Sequence, residues 1–422
     1  MRVSIKTLGC KVNQAESDLL IAAFERAGLT VVDFDEVADC YIVNSCAVTE
    51  EAERKTRQYV RRAARRNPKA SVILIGCCAK LWNHRNGNPL GEKVVILPAR
   101  EKEKEVCRFL EERFGIPLEL PPFPHPPRAR AWVKVEEGCD HFCSFCLVPY
   151  LREGVKSRKF EEILSEIHHL VQKGIREIVL CGTNLGYFGR DTKEGTLIDL
   201  IEFLVARTEN VRFRLSSLEP YLLSEDFITR YFALGTRVCP HLHLPLQSGS
   251  DRVLARMRRE YTTRAYADLV ATIRSLCPQV AITTDIIMGF PGETEEDFEE
   301  TVRFCREVGF ARMHVFAFSA RPGTVAFEWE KTSGVPKSEK QRRVQRLLEI
   351  GRKLSEEYHR HFLGKELHVL IESVEENTGL GHSENYIPVR VQGISSNEIR
   401  EIVSVLVEEA RDTYVRGRLI KR

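Results

Sequence analysis

Residues 132–146 read WVKVEEGCDHFCSFC, a short apolar strand that runs directly into three cysteines spaced C-x3-C-x2-C. Gly138 permits a sharp turn where the strand ends. Three thiolates hold three irons of a cubane cluster and leave the fourth iron open to a chelating small molecule. A structural zinc site normally takes four ligands, and no fourth cysteine lies in register nearby. Cys139, Cys143 and Cys146 are therefore predicted to hold a [4Fe–4S] cluster.

An alternation of strands and helices extends from this motif toward the C-terminus. Six strand–helix units between residues 130 and 320 predict a partial (β/α)6 barrel, related to the full eight-stranded barrel. The candidate strands are residues 132–136, 178–181, 211–215, 241–244, 281–287 and 313–318.

The flanking segments differ in character from the barrel. Residues 1–117 also alternate, with strands at 3–7, 41–45 and 72–75 and helices at 16–27 and 50–66, which predicts a parallel α/β domain. Six prolines between 117 and 127 predict an extended linker at 118–129. The barrel unit is expected to occupy 130–360, including an amphipathic helix near its end. Alternating strands in 361–422 predict a small β-barrel.

A second set of cysteines follows the N-terminal strands. Cys10, Cys46 and Cys77 each come just after one of the three strands. In a parallel sheet all three thiols emerge at one edge, where open α/β sheets bind ligands. This arrangement predicts a second cluster with a free iron. Cys78 is an alternative third ligand; Cys77 is preferred because it follows a glycine. Buried thiols that pack as small hydrophobes are the alternative interpretation.

The chain resembles a known family. The motif at 139–146 matches the signature of radical S-adenosylmethionine (SAM) enzymes, whose fold is a partial (β/α)6 barrel. Together with the second cysteine set, the whole chain resembles the methylthiotransferases, which add an N-terminal [4Fe–4S] domain and a C-terminal TRAM domain. The similar stretches are TLGCKVNQ at 7–14, HLPLQSGS at 243–250 and IPV at 387–389. Within the family, TLGCKVNQ resembles the MtaB branch.

That resemblance implies a tRNA methylthiotransferase. The reaction inserts a methylthio group at C2 of N6-threonylcarbamoyladenosine, the nucleoside beside the anticodon at position 37. The implied cofactors are two [4Fe–4S] clusters on the six cysteines, and SAM as both radical source and methyl donor. The implied partners are the tRNA anticodon loop and an electron donor such as flavodoxin or ferredoxin. No membrane is implied, and a cytoplasmic location is expected.

Polar residues follow the barrel strands, at the end where such barrels carry their active sites. We expect them to bind the adenosine and methionine parts of SAM. For any single one, the interpretation as a strand terminator is favoured, but five such polar clusters around one end of the barrel, beside the cysteine motif, favour SAM binding. The candidates are Gly182, Asn184, Ser216, Glu219, Gln247 and Asp285.

A local basic stretch is the candidate RNA contact, since the net charge of +3 is too small to indicate nucleic acid by itself. Residues 54–66 contain seven Arg or Lys side chains and no acid. On a helix they form a positive stripe suited to phosphates, and a solvated helix face is the alternative. The RNA candidates are Arg57, Arg61, Arg62 and Arg65.

Three other functions are considered. A methylthiotransferase for isopentenyladenosine in tRNA shares the same motifs. One for an aspartate of a ribosomal protein is disfavoured by GCKVNQ at 9–14. A non-catalytic iron–sulfur protein that binds RNA needs neither the radical cysteines nor the polar strand ends.

Overall fold

The computed structural model describes residues 1–84, 94–98, 100–124 and 128–420. The N-terminal unit is a parallel sheet with strand order 2-1-3-4-5, and helices follow four of its strands. The predicted strands at 3–7, 41–45 and 72–75 are confirmed as parts of its first, third and fourth strands. Its elements are β1 (Arg2–Thr7), α1 (Lys11–Arg26), β2 (Thr30–Val31), β3 (Cys40–Ser45), α2 (Glu50–Arg66), β4 (Ser71–Gly76), α3 (Cys77–His84), β5 (Val94–Ile96) and α4 (Lys102–Phe114).

The proline-rich segment has neither helix nor strand at 115–124 and 128–130. Residues 125–127 of the predicted linker lie outside the described residues. Proline lacks the amide hydrogen that helices and central strands require, so the lack of regular structure in the described part follows from composition.

The central unit is the predicted partial barrel. Its six barrel strands are parallel and form two groups of three, which isolated bridges at Phe213–Val238 and Ser217–His243 connect. The two-strand β7–β8 ladder is antiparallel and lies beside the cysteine loop. The elements are β6 (Ala131–Lys134), β7 (Glu136–Glu137), α5 (Val148–Leu151), β8 (Lys156–Ser157), α6 (Phe160–Gln172), β9 (Glu177–Cys181), α7 (Leu197–Arg207), β10 (Arg212–Leu215), α8 (Glu225–Ala233), β11 (His241–His243), α9 (Asp251–Met257), α10 (Thr263–Leu276), β12 (Ala281–Met288), α11 (Glu295–Val308), β13 (Arg312–Ala317), α12 (Val325–Ser333) and α13 (Lys337–Arg360).

The two faces of the barrel strands have different roles. Ile282 and Ile286 of β12 pack in the main hydrophobic core, between the sheet and the helices outside it. Asp285 lies on the opposite face of the same strand, because successive side chains of a strand alternate. There it meets His243 of β11 and His314 of β13, so the concave face of the barrel carries the polar side chains.

The C-terminal unit is a closed five-stranded barrel. Arg212 and Arg214 of the central barrel donate hydrogen bonds to its backbone carbonyls at 368 and 382–384, and both pair with the buried Glu177. The ring of Tyr386 stacks against His241 and His382, which covers the barrel at the end where its strands begin. The strands are β14 (Glu366–Glu375), β15 (Thr378–Ser383), β16 (Pro388–Gln392), β17 (Ile402–Ala410) and β18 (Val415–Leu419).

Among the described residues, no helix combines the length and the apolar character needed to cross a membrane.

Candidate active site

The first cysteine loop follows β7 and is shaped by a glycine. Gly138 has φ +107°, and a Cβ at this position would lie 1.7 Å from the carbonyl oxygen of Gly154. Any other residue would therefore push the cysteine loop away from the neighbouring turn. Cys139, Cys143 and Cys146 follow within eight residues, all of them partly buried.

Each of these three sulfur atoms faces a hydrogen-bond donor. Asn184 Nδ2 donates to Cys139 Sγ at 3.9 Å, and Arg259 Nη1 donates to Cys143 Sγ at 3.4 Å. The backbone amide of Val148 donates to Cys146 Sγ at 3.4 Å. Hydrogen bonds to sulfur are among the means by which proteins set the potential of an iron–sulfur cluster, so this donor set suits one.

Burial keeps two of these thiols protonated. It raises the pKa of Cys139 to about 11 and, with the nearby Cys143, that of Cys146 to about 12. A thiolate binds metal, whereas the neutral thiol does not. Iron binding must therefore expel protons from these two thiols.

The second trio gathers at the carboxyl edge of the N-terminal sheet, as the sequence predicts. Cys10 precedes the first turn of α1, Cys46 follows β3, and Cys77 begins α3. Gly9 makes the approach possible, because a Cβ there would stand 2.9 Å from Cys46 Sγ. Burial, followed by the charge of Cys77, raises the pKa of Cys46 to about 12.

Cys78 has a different environment from Cys77. It is fully buried, and its Sγ donates to the carbonyl oxygen of Cys46 at 2.9 Å. Its sulfur is therefore engaged in a hydrogen bond inside the domain core. This geometry favours Cys77 as the third member of the trio.

Asn13 and Arg152 connect the two cysteine trios. Asn13 Nδ2 donates to the carbonyl oxygens of Leu8 and Ser45, at 2.8 and 2.9 Å, which ties together the loops of Cys10 and Cys46. Arg152 Nη2 donates to Asn13 Oδ1 at 2.6 Å, while the carbonyl oxygen of Arg152 accepts from the amide of Cys139 at 3.3 Å. One continuous hydrogen-bonded chain therefore runs from one trio to the other.

The guanidinium of Arg152 also holds positive charge between the two sites. It contacts Glu137 Oε1 at 2.9 Å and Glu16 Oε1 at 3.3 Å. Burial alone would lower its pKa, but Glu16 and the nearby thiols of Cys77 and Cys10 raise it well above the usual value. The residue is therefore a fixed cation that faces groups which become anionic when they bind iron.

The spacing of the cysteines argues against a single ion. Two sulfurs on a tetrahedral zinc, with Zn–S bonds of about 2.3 Å, lie about 3.8 Å apart. Within the described part of the chain, His243, Asp285 and His314 form the one group of His, Cys, Asp or Glu residues with three ligand atoms within 4.8 Å of one another. Neither cysteine trio meets that criterion, so neither is preformed for a single tetrahedral ion.

Several predicted SAM residues surround the first cysteine loop. Asn184 Oδ1 and Ser216 Oγ are buried and make no hydrogen bond with the described residues. Buried polar atoms without partners are costly, so these two fit a site that a polar ligand completes. Gly182 lets Glu136 approach closely, since a Cβ there would lie 2.5 Å from Glu136 Oε2. Glu219 pairs with Arg259, the donor to Cys143.

The other two predicted SAM residues lie at the next strands of the barrel. Gln247 bridges to β12, where its backbone exchanges hydrogen bonds with Asp285 and Ile287 at 2.9 Å each. Asp285 Oδ2 lies 3.3 Å from His243 Nε2. The structure connects Asp285 to the histidine pair His243 and His314 on the concave face, and not to the cysteine loop.

The arginine-rich helix α2 is exposed, and its arginines line a surface groove of about 610 Å³. Arg57 pairs with Glu53 at 2.7 Å, and Arg62 pairs with Asp35. Arg61 and Arg65 are exposed and make no ion pair within the described part of the chain, so they are the two most available for phosphates.

Sequence reasoning missed Asn13, Arg152, Arg259 and the pair His243–His314 as parts of the site. The HLPLQSGS stretch contains His243, but nothing in it indicates a partner far along the chain. Arg152 reaches Asn13 across 139 residues, a separation that no local pattern reveals.

Comparison with known proteins agrees with this architecture. The profile of the radical SAM superfamily matches residues 133–305, that of the uncharacterized protein family UPF0004 matches 2–92, and that of the TRAM domain matches 360–420. The chain is 35% identical over 441 residues to the threonylcarbamoyladenosine tRNA methylthiotransferase MtaB of Bacillus subtilis (strain 168), covering 99% of this chain and 96% of that protein. It is 37% identical to the protein of the same name from Thermotoga maritima, with coverages of 98% and 96%.

A differently named relative and a solved structure are also similar. The tRNA-2-methylthio-N(6)-dimethylallyladenosine synthase of Fervidobacterium nodosum is 33% identical, with 89% of each chain covered. The radical SAM methyltransferase TsrM of Kitasatospora setae, solved with cobalamin and a [4Fe–4S] cluster, superposes with a TM-score of 0.56. That alignment covers 77% of this chain and 76% of TsrM at 16% identity, which supports the fold alone.

Proposed function

The chain belongs to the radical SAM methylthiotransferase family, and on that basis we propose that it methylthiolates C2 of N6-threonylcarbamoyladenosine beside the anticodon of tRNA. The observation that carries this proposal is the pair of cysteine trios joined through Arg152 and Asn13. Sulfur insertion requires the opened carbon and the sulfur to meet within one cavity, before water intervenes. Two trios held by one hydrogen-bonded chain supply that proximity.

The cysteines divide into two proposed groups. Cys139, Cys143 and Cys146 would hold one [4Fe–4S] cluster, and Cys10, Cys46 and Cys77 a second. When bound, these clusters and SAM supply the carbon-centred radical, the sulfur and the methyl group that no side chain provides. Asn184, Ser216 and their neighbours at the strand ends orient SAM through polar atoms that have no partner among the described residues. Asp285 on the concave face and Gln247, whose backbone pairs with it, are further candidates for contact with SAM.

The positive face of α2 is the proposed docking surface for tRNA phosphates. When exposed arginines bind phosphates, condensed counterions are released from the RNA, which favours binding. These contacts do not depend on the base sequence. A loop nucleotide such as the one beside the anticodon is unpaired, so extending it into a cavity costs less than extracting a base from a duplex. The C-terminal barrel is a second candidate contact, since small β-barrels bind looped RNA.

The test is a nucleoside analysis of the reaction. Anaerobically reconstituted protein, SAM and a reductant are incubated with tRNA that carries N6-threonylcarbamoyladenosine, and the digested tRNA is analysed by mass spectrometry. The proposal predicts its 2-methylthio derivative and 5′-deoxyadenosine. In parallel arms, dimethylallyladenosine-containing tRNA and ribosomal protein test the two related activities. Product in either of those arms alone, or 5′-deoxyadenosine without a methylthio product in any arm, would overturn the proposal.

A further inference from the structure

Two histidines and an aspartate meet on the concave face of strands β11, β12 and β13. His314 of β13 pairs in register with Asp285 of β12, and His243 of β11 pairs with Thr283, two residues before Asp285. Residues two apart on a strand point to the same face of the sheet, so all four side chains share this face. The ligand atoms of His243, Asp285 and His314 all lie within 4.8 Å of one another. The pairing of the strands therefore builds a cluster of metal-binding side chains that is separate from both cysteine trios.

The spacing inside this cluster suits a metal ion better than a hydrogen bond. His243 Nε2 lies 3.3 Å from Asp285 Oδ2. A charge-assisted N–H···O hydrogen bond is shorter, at about 2.7–2.9 Å. Two ligands on a tetrahedral Zn²⁺, with bonds of about 2.0–2.1 Å, lie about 3.3 Å apart. The rings of His243 and His314 are 5.9 Å apart between centroids and inclined by 55°, so they are close without being stacked on each other.

Thr283 fixes the orientation of the His243 ring. Its Oγ1 lies 3.0 Å from His243 Nδ1 and 3.1 Å from His241 Nε2. A hydroxyl accepts from one ring and donates to the other, which lets His243 donate Nδ1–H and keep the lone pair of Nε2. Histidines that bind metal almost always donate their other ring N–H to an oxygen or a water in this way. His243 therefore has the second contact expected of a ligand, and its Nε2 is the nitrogen near Asp285.

We propose that His243, Asp285 and His314 together bind one divalent transition-metal ion, Zn²⁺ or Fe²⁺. Two imidazoles and a carboxylate are the ligands of catalytic zinc sites and of non-haem iron(II) sites alike. Three protein ligands leave at least one coordination position open, and these side chains are only partly buried. The ion therefore presents an exchangeable position to the barrel cavity, where an oxygen ligand can bind. His243 lies closest to Oδ2 of Asp285, which leaves Oδ1 available to SAM.

The test measures zinc and iron in the reconstituted full chain. Protein loaded with iron and sulfide is equilibrated with Zn²⁺, desalted and analysed for both metals, and the affinity is determined by competition with a chelator. The variants are His243→Gln, Asp285→Asn, His314→Gln and Thr283→Val. His368→Gln is the matched control, because His368 faces Glu384 at 3.5 Å and Glu366 at 3.8 Å but belongs to no group of three close ligand atoms within the described part of the chain.

A parallel arm distinguishes the two ions. Fe²⁺ enriched in the Mössbauer-active isotope is added anaerobically to protein whose clusters contain natural iron, so that only the added ion gives a strong Mössbauer signal. For the zinc arm, X-ray absorption at the zinc edge reports the neighbours of the ion in wild type, without any substitution. Nitrogen and oxygen neighbours at about 2.0–2.2 Å are expected, since sulfur would lie at about 2.3 Å.

Wild type and His368→Gln should retain about one zinc per chain, or one high-spin ferrous ion, and the three ligand variants should lose it. Thr283→Val should bind the ion about 10- to 100-fold more weakly, the usual effect of removing the second contact of a ligand histidine. All variants should keep the cluster iron of wild type, because their side chains contact neither cysteine trio.

Retention of neither ion by wild type would overturn the proposal. Sulfur neighbours in the zinc spectrum would also overturn it, since the ion would then lie at the cysteines. Unchanged zinc in both His243→Gln and His314→Gln, or an equal loss of zinc in His368→Gln, would have the same consequence. The proposed ion does not depend on the identity of the substrate, so each of these results leaves the proposed methylthiolation standing.

Discussion

Replacing Arg152 by glutamine tests the physical connection between the two cysteine trios. Arg152→Gln removes the donors to Asn13 Oδ1, Glu137 Oε1 and Glu16 Oε1, at 2.6, 2.9 and 3.3 Å. Glu16 keeps its partners Lys102 and Lys134, but Asn13 Oδ1 loses its guanidinium partner. Glu137 also keeps Lys134 as a partner, so the main cost is that of leaving the buried Asn13 Oδ1 without a donor. We therefore expect a loss of about 1–3 kcal/mol in the free energy of unfolding.

The assay is urea denaturation of anaerobically purified protein, combined with product analysis. Arg152→Lys keeps the positive charge but lacks the planar guanidinium group, so its loss of unfolding free energy should be intermediate. Arg158→Gln is the control: Arg158 is half-buried and also bonds two oxygens, Lys134 O at 2.8 Å and Glu166 Oε2 at 2.6 Å, but it contacts neither trio. Its loss should be about 1–2 kcal/mol, the scale of ordinary hydrogen bonds.

Arg152→Gln should also uncouple the two half-reactions. A displacement of about 1 Å between reacting groups costs about 100-fold in rate, so methylthio product should fall far more than 5′-deoxyadenosine. The reasoning is refuted if Arg152→Gln changes the unfolding free energy by less than about 1 kcal/mol. It is equally refuted if both products fall in parallel.

Three further outcomes are expected. Iron analysis should show that Cys77→Ala loses one cluster and that Cys78→Ala keeps both. The Cys78 thiol makes a hydrogen bond inside the core and is not expected to bind iron. Arg61→Gln combined with Arg65→Gln should weaken tRNA binding and reduce the slope of log K against log salt by about 2. Burial raises the pKa of Glu136 to about 8, from an ordinary value of 4.5. The free energy of unfolding of the metal-free protein should therefore fall by roughly 5 kcal/mol between pH 4.5 and 8, as measured by urea denaturation, and this fall should be absent in Glu136→Gln.

The direction of that pH dependence follows from proton binding. Above pH 4.5 the unfolded carboxyl ionises while the folded one stays protonated, so the unfolded state binds fewer protons and stability falls as pH rises. Equal pH profiles of the unfolding free energy for wild type and Glu136→Gln would contradict this expectation.

For the tRNA measurement, Arg303→Gln combined with Arg306→Gln is the control, since both arginines are exposed on α11 beside the acids Glu296, Glu300 and Glu307. An equal change of the salt slope in that control would contradict the assignment of α2 to the tRNA interface.

The sequence predicted the barrel and the positions of both trios because these depend on local patterns. Apolar runs locate β9 and β12. Cys46 and Cys77 directly follow β3 and β4, and Cys10 comes three residues after the end of β1. The strands β15 and β18 were missed: TGLGHS and VRGRL contain glycines and few β-branched residues, so only pairing within the closed barrel makes them strands.

The remaining parts of the site depend on contacts between distant segments. Arg152 follows a four-residue helix, in a stretch with no charge pattern, and acquires its role only when α1 packs beside β6. His314 meets Asp285 because β12 and β13 pair in register. Such tertiary contacts override what any short window of sequence contains.

Iron analysis of two triple variants tests the central claim most directly. Wild type should hold about eight irons per chain, and replacement of Cys139, Cys143 and Cys146, or of Cys10, Cys46 and Cys77, by alanine should leave about four in each case. The first variant should form no 5′-deoxyadenosine, and the second should form it without a methylthio product. About four irons in wild type, or a second variant that keeps the wild-type iron content, would contradict the two-cluster account.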